Sequence, residues 1–333
     1  MTLLIPVTLL FADGISRRLQ VVRGKNLVEA ASEAGLNLLT DCSNGQCGTC
    51  TAQLVSGKVE LGDYDTSILA DDDRDAGAIL PCVCQVTGPC AIELPYDSSE
   101  AFSEEVAPMP AKVVAVERVA SETMRLELAI PEAIQFEPGQ YVRIQPASLD
   151  VARSYSMANV PGSDHLEFYV RLVPGGAFSE WLASAQPGDG VQISAPHGTF
   201  FLRDEPRPRL FVAGGTGVAP FLSMLKAVAV TPAAAQCPTT VLIGARTAGH
   251  LFAVDALAAL RQKVPGLTVH LAVEEGEDAS LHHGYATDLI PSLGLDPITR
   301  VYLCGPPPMV EAGRRAAEAA GLPRSDVLCE RFA

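Results

Sequence analysis

Four cysteines constrain this chain more than any other residues. Three fall in one short loop, Cys42-Ser-Asn-Gly-Gln-Cys47-Gly-Thr-Cys50, and a fourth follows at Cys82. A Cys-x4-Cys-x2-Cys run with a distant fourth cysteine is the spacing with which thiolates hold a [2Fe-2S] cluster. Two sulfide-bridged irons need four soft, negatively charged ligands converging on a small volume. One tight loop supplies three, with Gly45 and Gly48 letting the backbone wrap closely. The last must arrive from elsewhere in the fold. Structural zinc sites usually show two short cysteine pairs, and here only one such pair exists. Cys84 lies two residues beyond Cys82 and would share its face if both sat on a strand. Cys82 is the preferred fourth ligand, and Cys84 reads as a packed apolar position. Cys90, Cys237 and Cys329 read as small buried hydrophobes.

The chain has 333 residues, enough for two or three domains. No apolar run is long enough to cross a bilayer. The first residues, Met1 to Phe11, are apolar like the core of a signal peptide. They lack a basic start, contain Pro6 and run into Asp13-Gly14, which predicts a first β-strand ending in a hairpin turn. The chain therefore reads as cytoplasmic, without a membrane partner and with its cysteines reduced. A net charge of −15 argues against nucleic acid as a partner. Residues 1–100 carry 14 Asp/Glu against 6 Lys/Arg, a net −8, crowded at Asp63, Asp65, Asp71, Asp72, Asp73 and Asp75. As a group these could steer a basic docking surface on a redox partner.

Composition breaks predict three domains: 1–97, then a linker over 98–110, then 111–204 and 205–333. The first mixes short strands with one helix, capped by Asn26 with Glu29 completing a capping box, and ended by Gly35. Leu27, Ala30, Ala31 and Ala34 share its apolar face. The second reads as strands throughout, at 112–118, 123–129, 141–146, 165–173 and 191–195, as in an antiparallel barrel. The third alternates apolar strands at 209–213, 239–245, 267–273 and 300–304 with helical segments, the pattern of a parallel sheet with crossover helices.

Three motifs lie in these later domains. The strand and turn Leu210-Phe-Val-Ala-Gly-Gly-Thr-Gly-Val-Ala-Pro220 leaves the backbone bare at Gly214, Gly215 and Gly217, where a helix start attracts a pyrophosphate. Cys304-Gly305-Pro306-Pro-Pro-Met309 follows the last strong strand, at the carboxyl end where ligands bind in such sheets. Arg153-Ser154-Tyr155-Ser156 combines a phosphate-pairing cation, a flat ring for stacking and hydroxyls for a ring nitrogen. Downstream come Tyr169-Val170-Arg171, candidates for cofactor contact, and Gly175-Gly176-Ala-Phe-Ser179, suited to a second pyrophosphate. That segment suits a dinucleotide better than a mononucleotide, which has no pyrophosphate. Arg246 is the only strong candidate cation near the second strand of the last domain, and Glu274-Glu275 follow the third, a setting that suits a bare ribose better than a 2′-phosphate.

In this order and separation the motifs resemble the ferredoxin–NAD(P)H reductase superfamily. With the cysteine domain ahead of them, the chain is similar to the reductase components of two-component aromatic-ring dioxygenases, such as the benzoate, toluate and anthranilate systems. The resemblance implies a multidomain α+β and α/β protein: a β-grasp [2Fe-2S] ferredoxin domain, an antiparallel β-barrel that binds FAD, and a Rossmann-like nicotinamide domain. It implies that Arg153 holds a flavin phosphate, Tyr155 packs on the flavin and Ser156 sits near its N5. Val170 and Arg171 would line the adenylate side, and Gly176 and Ser179 the flavin pyrophosphate. Gly215, Thr216 and Gly217 would meet the dinucleotide, and Cys304 the nicotinamide. Glu330 and Phe332 match the acidic-x-aromatic ending that such proteins place near the flavin. The same resemblance favours Cys82 as ligand. Ser43-Asn44, Pro81 and His250 depart from the usual pattern. The implied activity passes electrons from NADH, through FAD and the cluster, to a terminal Rieske-type oxygenase. A different acceptor, such as a di-iron monooxygenase or a deoxysugar dehydratase, and a non-enzymatic redox sensor are the alternatives.

Overall fold

The computed structural model describes residues 4–66, 68–101, 108–198, 200–203 and 205–332. The first residues of the predicted N-terminal strand, the linker segment 102–107 and the boundary residue Asp204 lie outside them. The chain divides into two units, 1–106 and 107–333.

In the first unit, β1 (Leu4–Leu10) and β2 (Ser16–Val22) form the hairpin that Asp13-Gly14 announces. Alternation turns Ile5, Val7 and Leu9 inward. Helix α1 (Leu27–Glu33) starts where Asn26 accepts hydrogen bonds from the amides of Val28 (2.9 Å) and Glu29 (3.2 Å). Then follow β3 (Ala52–Leu61), α2 (Asp71–Asp75), β4 (Ala78–Ile79), β5 (Cys84–Glu93) and α3 (Ser98–Ala101). The sheet order is β2-β1-β5-β3-β4, with only β1 and β5 parallel. Leu27, Ala30 and Ala31 of α1 share one core with Ile5, Val7, Val86 and Ile92, giving a β-grasp. Residues 98–101 are a difference from the expected linker. The Ser98 hydroxyl donates to Asp13 (2.6 Å), and Ala101 is buried with its carbonyl accepting from the Asn37 amide (2.9 Å). These contacts hold α3 in the first unit, and a polar composition did not reveal them.

The second unit begins with a six-stranded antiparallel sheet. Its strands are β6 (Met109–Ala120), β7 (Thr123–Ala129), β8 (Tyr141–Pro146), β9 (Arg153–Ser156), β10 (His165–Arg171) and, after helix α4 (Ala177–Ser184), β11 (Gly190–Ile193). The order is β10-β7-β6-β11-β8-β9. The sheet curls until its edges meet. Beyond β9, the Ala158 amide donates to the Glu167 carbonyl (2.8 Å), and the Glu167 amide to Asn159 Oδ1 (3.0 Å). Closure removes the exposed edges such a sheet would otherwise present. Leu126, Leu128, Val142, Ile144, Phe168 and Val170 fill the interior.

The chain continues through β12 (Arg209–Gly214), α5 (Val218–Val230), α6 (Pro232–Ala235), β13 (Thr239–Ala245), α7 (Val254–Lys263), β14 (Leu267–Val273), β15 (His282–His283), β16 (Arg300–Gly305), α8 (Pro307–Ala319) and β17 (Val327–Arg331). All sheet pairs are parallel, in the order β15-β14-β13-β12-β16-β17. Both faces are covered, as a parallel sheet requires. Phe211 and Ala213 enter one core, and Leu210 and Val212 the other. The C-terminal strand β17 was not expected as a strand. Its register sets Glu330 beside Cys304.

Candidate functional site

In the first unit the four cysteine sulfurs converge. Cys50 Sγ lies 3.2 Å from Cys82 Sγ, and Cys42 is in side-chain contact with both Cys47 and Cys82. The four sulfurs thus form one connected group, Cys47 to Cys42 to Cys82 to Cys50, as a cluster held by four thiolates needs. The Gln46 amide points at Cys42 Sγ (3.3 Å), and Thr49 Oγ1 donates to Asp41 (2.5 Å) across the loop. Ser43, Gly45 and Gly48 all take positive φ, which wraps the backbone around the sulfurs. Among the described residues no three His, Cys, Asp or Glu side chains meet single-ion geometry. The donor set suits an extended, sulfur-rich group.

Cys82 does not sit on a strand. It occupies a 3-10 turn, Pro81–Val83, and its carbonyl accepts from Asn26 Nδ2 (2.7 Å). The helix cap of α1 therefore also anchors the fourth cysteine. Cys84 opens β5 and is wholly buried in the apolar core, where burial pushes its thiol up to about 12. The turn separates two positions that a strand would have placed on one face.

In the barrel, Arg153 and Ser154 are exposed at the start of β9, and Tyr155 is half-buried against Phe178 (ring centroids 4.9 Å). The Ser156 hydroxyl donates to Glu330 Oε2 (3.2 Å). The same carboxylate oxygen accepts from Cys304 Sγ (3.5 Å). Ser156, Cys304 and Glu330 are thus joined, though they come from the barrel and from two strands of the parallel sheet. Burial, reinforced by the Glu330 charge, pushes the Cys304 thiol well up. Phe332 packs against the core containing Cys304, and its amide donates to the Gly305 carbonyl (3.3 Å).

The Gly175-to-Ser179 segment forms an open turn. Gly175 takes φ +71, and a Cβ there would meet nothing within 4 Å. Ser179 Oγ accepts from the Val173 amide (2.9 Å), and no side chain caps the first amides of α4. Arg171 is exposed and Val170 buried. Tyr169 is buried. Its ring stacks on Phe252 (4.9 Å) and its hydroxyl donates to Glu167 (2.8 Å). An aromatic at this position therefore joins the barrel to the parallel sheet.

At the carboxyl ends of the parallel strands, Gly214 and Gly217 are buried, while Gly215 is exposed and Thr216 half-buried. Gly217 adjoins the Cys304 carbonyl, and Gly214 adjoins Pro306 and Met309. The Gly214–Gly217 turn and the Cys304-Gly305-Pro306 turn are pressed together, leaving Gly215 and Thr216 as the open rim. No side chain caps the N-terminus of α5. These bare backbone sites suit the phosphates of two dinucleotides, and the converging sulfurs suit an iron–sulfur cluster.

Sequence reasoning missed how the barrel is fixed to the sheet. On α5, Lys226 Nζ donates to Glu167 Oε2 (2.9 Å) and to the Ala158 carbonyl (2.8 Å). Ser223 Oγ donates to the Asn159 carbonyl (2.6 Å), and Arg125 Nε donates to Glu167 Oε1 (2.9 Å). Burial works to raise the Glu167 carboxyl, but Lys226 and Arg125 hold it below the usual range. A signal existed. Ser223 and Lys226 are the polar pair, three residues apart, on an otherwise apolar helix.

Three domain families match the chain. The 2Fe-2S iron-sulfur cluster binding domain family matches residues 10–87. The oxidoreductase FAD-binding domain family matches 110–202, and the oxidoreductase NAD-binding domain family 211–315. The chain is 33% identical over 328 residues to the toluate 1,2-dioxygenase electron transfer component of Pseudomonas putida, covering 97% of each chain. It is 32% identical to the 2-halobenzoate 1,2-dioxygenase electron transfer component of Burkholderia cepacia, covering 98% of this chain and 97% of the relative. Its fold matches the crystal structure of an Amycolatopsis cytochrome P450 reductase with a TM-score of 0.76, at 28% identity and 98% coverage of both. Fold and site together define an NADH-dependent iron–sulfur flavoprotein oxidoreductase. The chain belongs to the family of electron transfer components of aromatic-ring dioxygenases. No described helix is long and apolar enough to cross a membrane.

Proposed function

We propose that this chain takes electrons from NADH in the cytoplasm and delivers them, by way of FAD and a [2Fe-2S] cluster, to the terminal Rieske-type oxygenase of an aromatic-ring-hydroxylating dioxygenase. The similarity to two dioxygenase electron transfer components over nearly the whole chain carries this reading. FAD, when bound, converts the two-electron hydride of NADH into single electrons that a cluster can accept. The chain supplies binding and orientation. Cys42, Cys47, Cys50 and Cys82 hold the cluster. Arg153, Ser154, Arg171, Gly175, Gly176 and Ser179 bind the flavin's phosphates and adenylate side, with Tyr155 against its ring system and Val170 behind it. Gly214, Gly215, Thr216, Gly217, Gly305 and Pro306 form the NADH cleft.

Ser156, Cys304, Glu330 and Phe332 form the reacting end of that cleft. Glu330 accepts from both Ser156 and Cys304 and so fixes two polar groups that would face the transferring hydride. Glu330→Gln keeps the shape and removes the charge that strengthens both bonds. Weakening a charge-assisted hydrogen bond in this half-buried site corresponds to a rate loss of about tenfold. Stopped-flow reduction of the flavin by NADH should slow by that factor, while the dithionite-reduced cluster signal stays unchanged.

The acceptor is tested directly. Purified protein with NADH should reduce a purified toluate-type Rieske oxygenase and support product formation. Reduction of a cytochrome P450 or a di-iron hydroxylase, with the Rieske protein left oxidised, would overturn this partner.

A further inference from the structure

The loop after β13 carries a single arginine, and the flavin barrel holds it. Arg246 Nη2 lies 3.2 Å from Glu122 Oε1, at the tip of the β6–β7 hairpin. That tip is itself fixed. The Ser121 amide and hydroxyl both donate to the Gly249 carbonyl, each at 2.9 Å, and the Leu172 amide donates to the Glu122 carbonyl (2.7 Å). His250 Nε2 lies 3.0 Å from Arg246 Nη2, and His250 Nδ1 lies 2.8 Å from Thr247 Oγ1. From the other side, the Glu275 amide donates to the Arg246 carbonyl (2.8 Å), and the Glu274 amide to the Ala245 carbonyl (3.1 Å). Glu122 thus meets the loop's one arginine with its carboxylate, while Glu274 and Glu275 meet the loop through their backbone amides.

The position of this loop gives the charge its meaning. β13 runs parallel to β12 with Gly244 opposite Gly214, so the loop opens beside the Gly214–Gly217 turn. In nucleotide-binding sheets the pyrophosphate sits at the first turn and the adenosine ribose near the end of the second strand. An acidic group there suits a 2′-hydroxyl, and a cation suits a 2′-phosphate.

We propose that Glu122, a residue of the flavin barrel, sets the pyridine-nucleotide preference by occupying Arg246, the cation that a 2′-phosphate would need. The loop then accepts the bare ribose of NADH and offers no free arginine to the 2′-phosphate of NADPH. This rests on the placement of NADH at the carboxyl ends of β12 and β13. The side chains of Arg246 and Glu122 are 56% and 48% exposed, so water screens the pair and the effect is moderate.

The test measures binding of 2′-phospho-AMP and 5′-AMP to the flavin-loaded protein by titration calorimetry. The unaltered protein should bind 5′-AMP more tightly. Glu122→Gln should tighten 2′-phospho-AMP roughly threefold to tenfold, as expected for freeing a cation and removing a like charge in high dielectric, with 5′-AMP hardly changed. Adding Arg246→Ala should erase the gain. Equal binding of both ligands by the unaltered protein would refute the NADH preference and the proposal with it. Discrimination by the unaltered protein, with no gain in a Glu122→Gln protein of normal flavin spectrum, would refute the role of Glu122 alone.

Discussion

Cys82→Ser is expected to abolish the paramagnetic signal of the dithionite-reduced protein. It should also lower NADH-driven cytochrome c reduction by at least about 100-fold, because a cluster that loses one thiolate is not retained. NADH-driven ferricyanide reduction, which can draw on the flavin directly, should stay within about twofold of normal, since the change leaves the second unit intact. Cys84→Ser is the control. Its thiol lies in the core with Leu27, Val86 and Ile92, far from ligand duty, so the signal should persist while thermal stability falls. A buried hydroxyl without a partner costs roughly 1–3 kcal/mol. If Cys84→Ser loses the signal and Cys82→Ser keeps it, the ligand assignment is wrong.

The same pair of cysteines shows what could and could not be read ahead of the structure. The Cys42, Cys47 and Cys50 spacing is a local property, because one loop must wrap one group. The choice between Cys82 and Cys84 depends on a 3-10 turn that Asn26 pins from 56 residues away. The strands of the parallel sheet were legible because burial on both faces leaves continuous apolar runs, as in Leu210 to Ala213. β17 was not, since Val327–Arg331 mixes apolar and charged residues and pairs along one edge only. Tyr169, a candidate cofactor contact, stands in one run with Val170 and Arg171. In the fold its ring belongs to the seam between barrel and sheet, where Phe252 and Glu167 meet it. A side chain's partner across such a seam is set by tertiary packing, which no local pattern encodes.

The two glycines of the dinucleotide turn differ in what they require, and this yields the second large effect. Gly217 has φ −60 and ψ −8, a conformation any residue adopts. What forbids a side chain is distance. A Cβ at Gly217 would lie 2.0 Å from the Cys304 carbonyl oxygen and 2.6 Å from its carbon. Those are backbone atoms of β16, paired on one side to β12 and on the other to β17, so they cannot swing aside. Gly217→Ala must therefore part the Gly214–Gly217 turn from Cys304, and with it the NADH cleft from the Ser156–Glu330 pair. Misplacement of reacting groups by about 1 Å costs on the order of 100-fold in rate, so flavin reduction by NADH should fall by about that much in kcat. Dithionite should still reduce flavin and cluster normally. Gly215 presents the opposite case. Its φ of +54 strains any other residue by roughly 1–2 kcal/mol, yet a Cβ there meets nothing within 4 Å and points into the open rim. Gly215→Ala should raise KM for NADH with little change in kcat, because the methyl group intrudes on the ligand and leaves Cys304 where it was. Equal losses in kcat from both variants would mean that the close approach of Gly217 to Cys304 does not align the hydride donor.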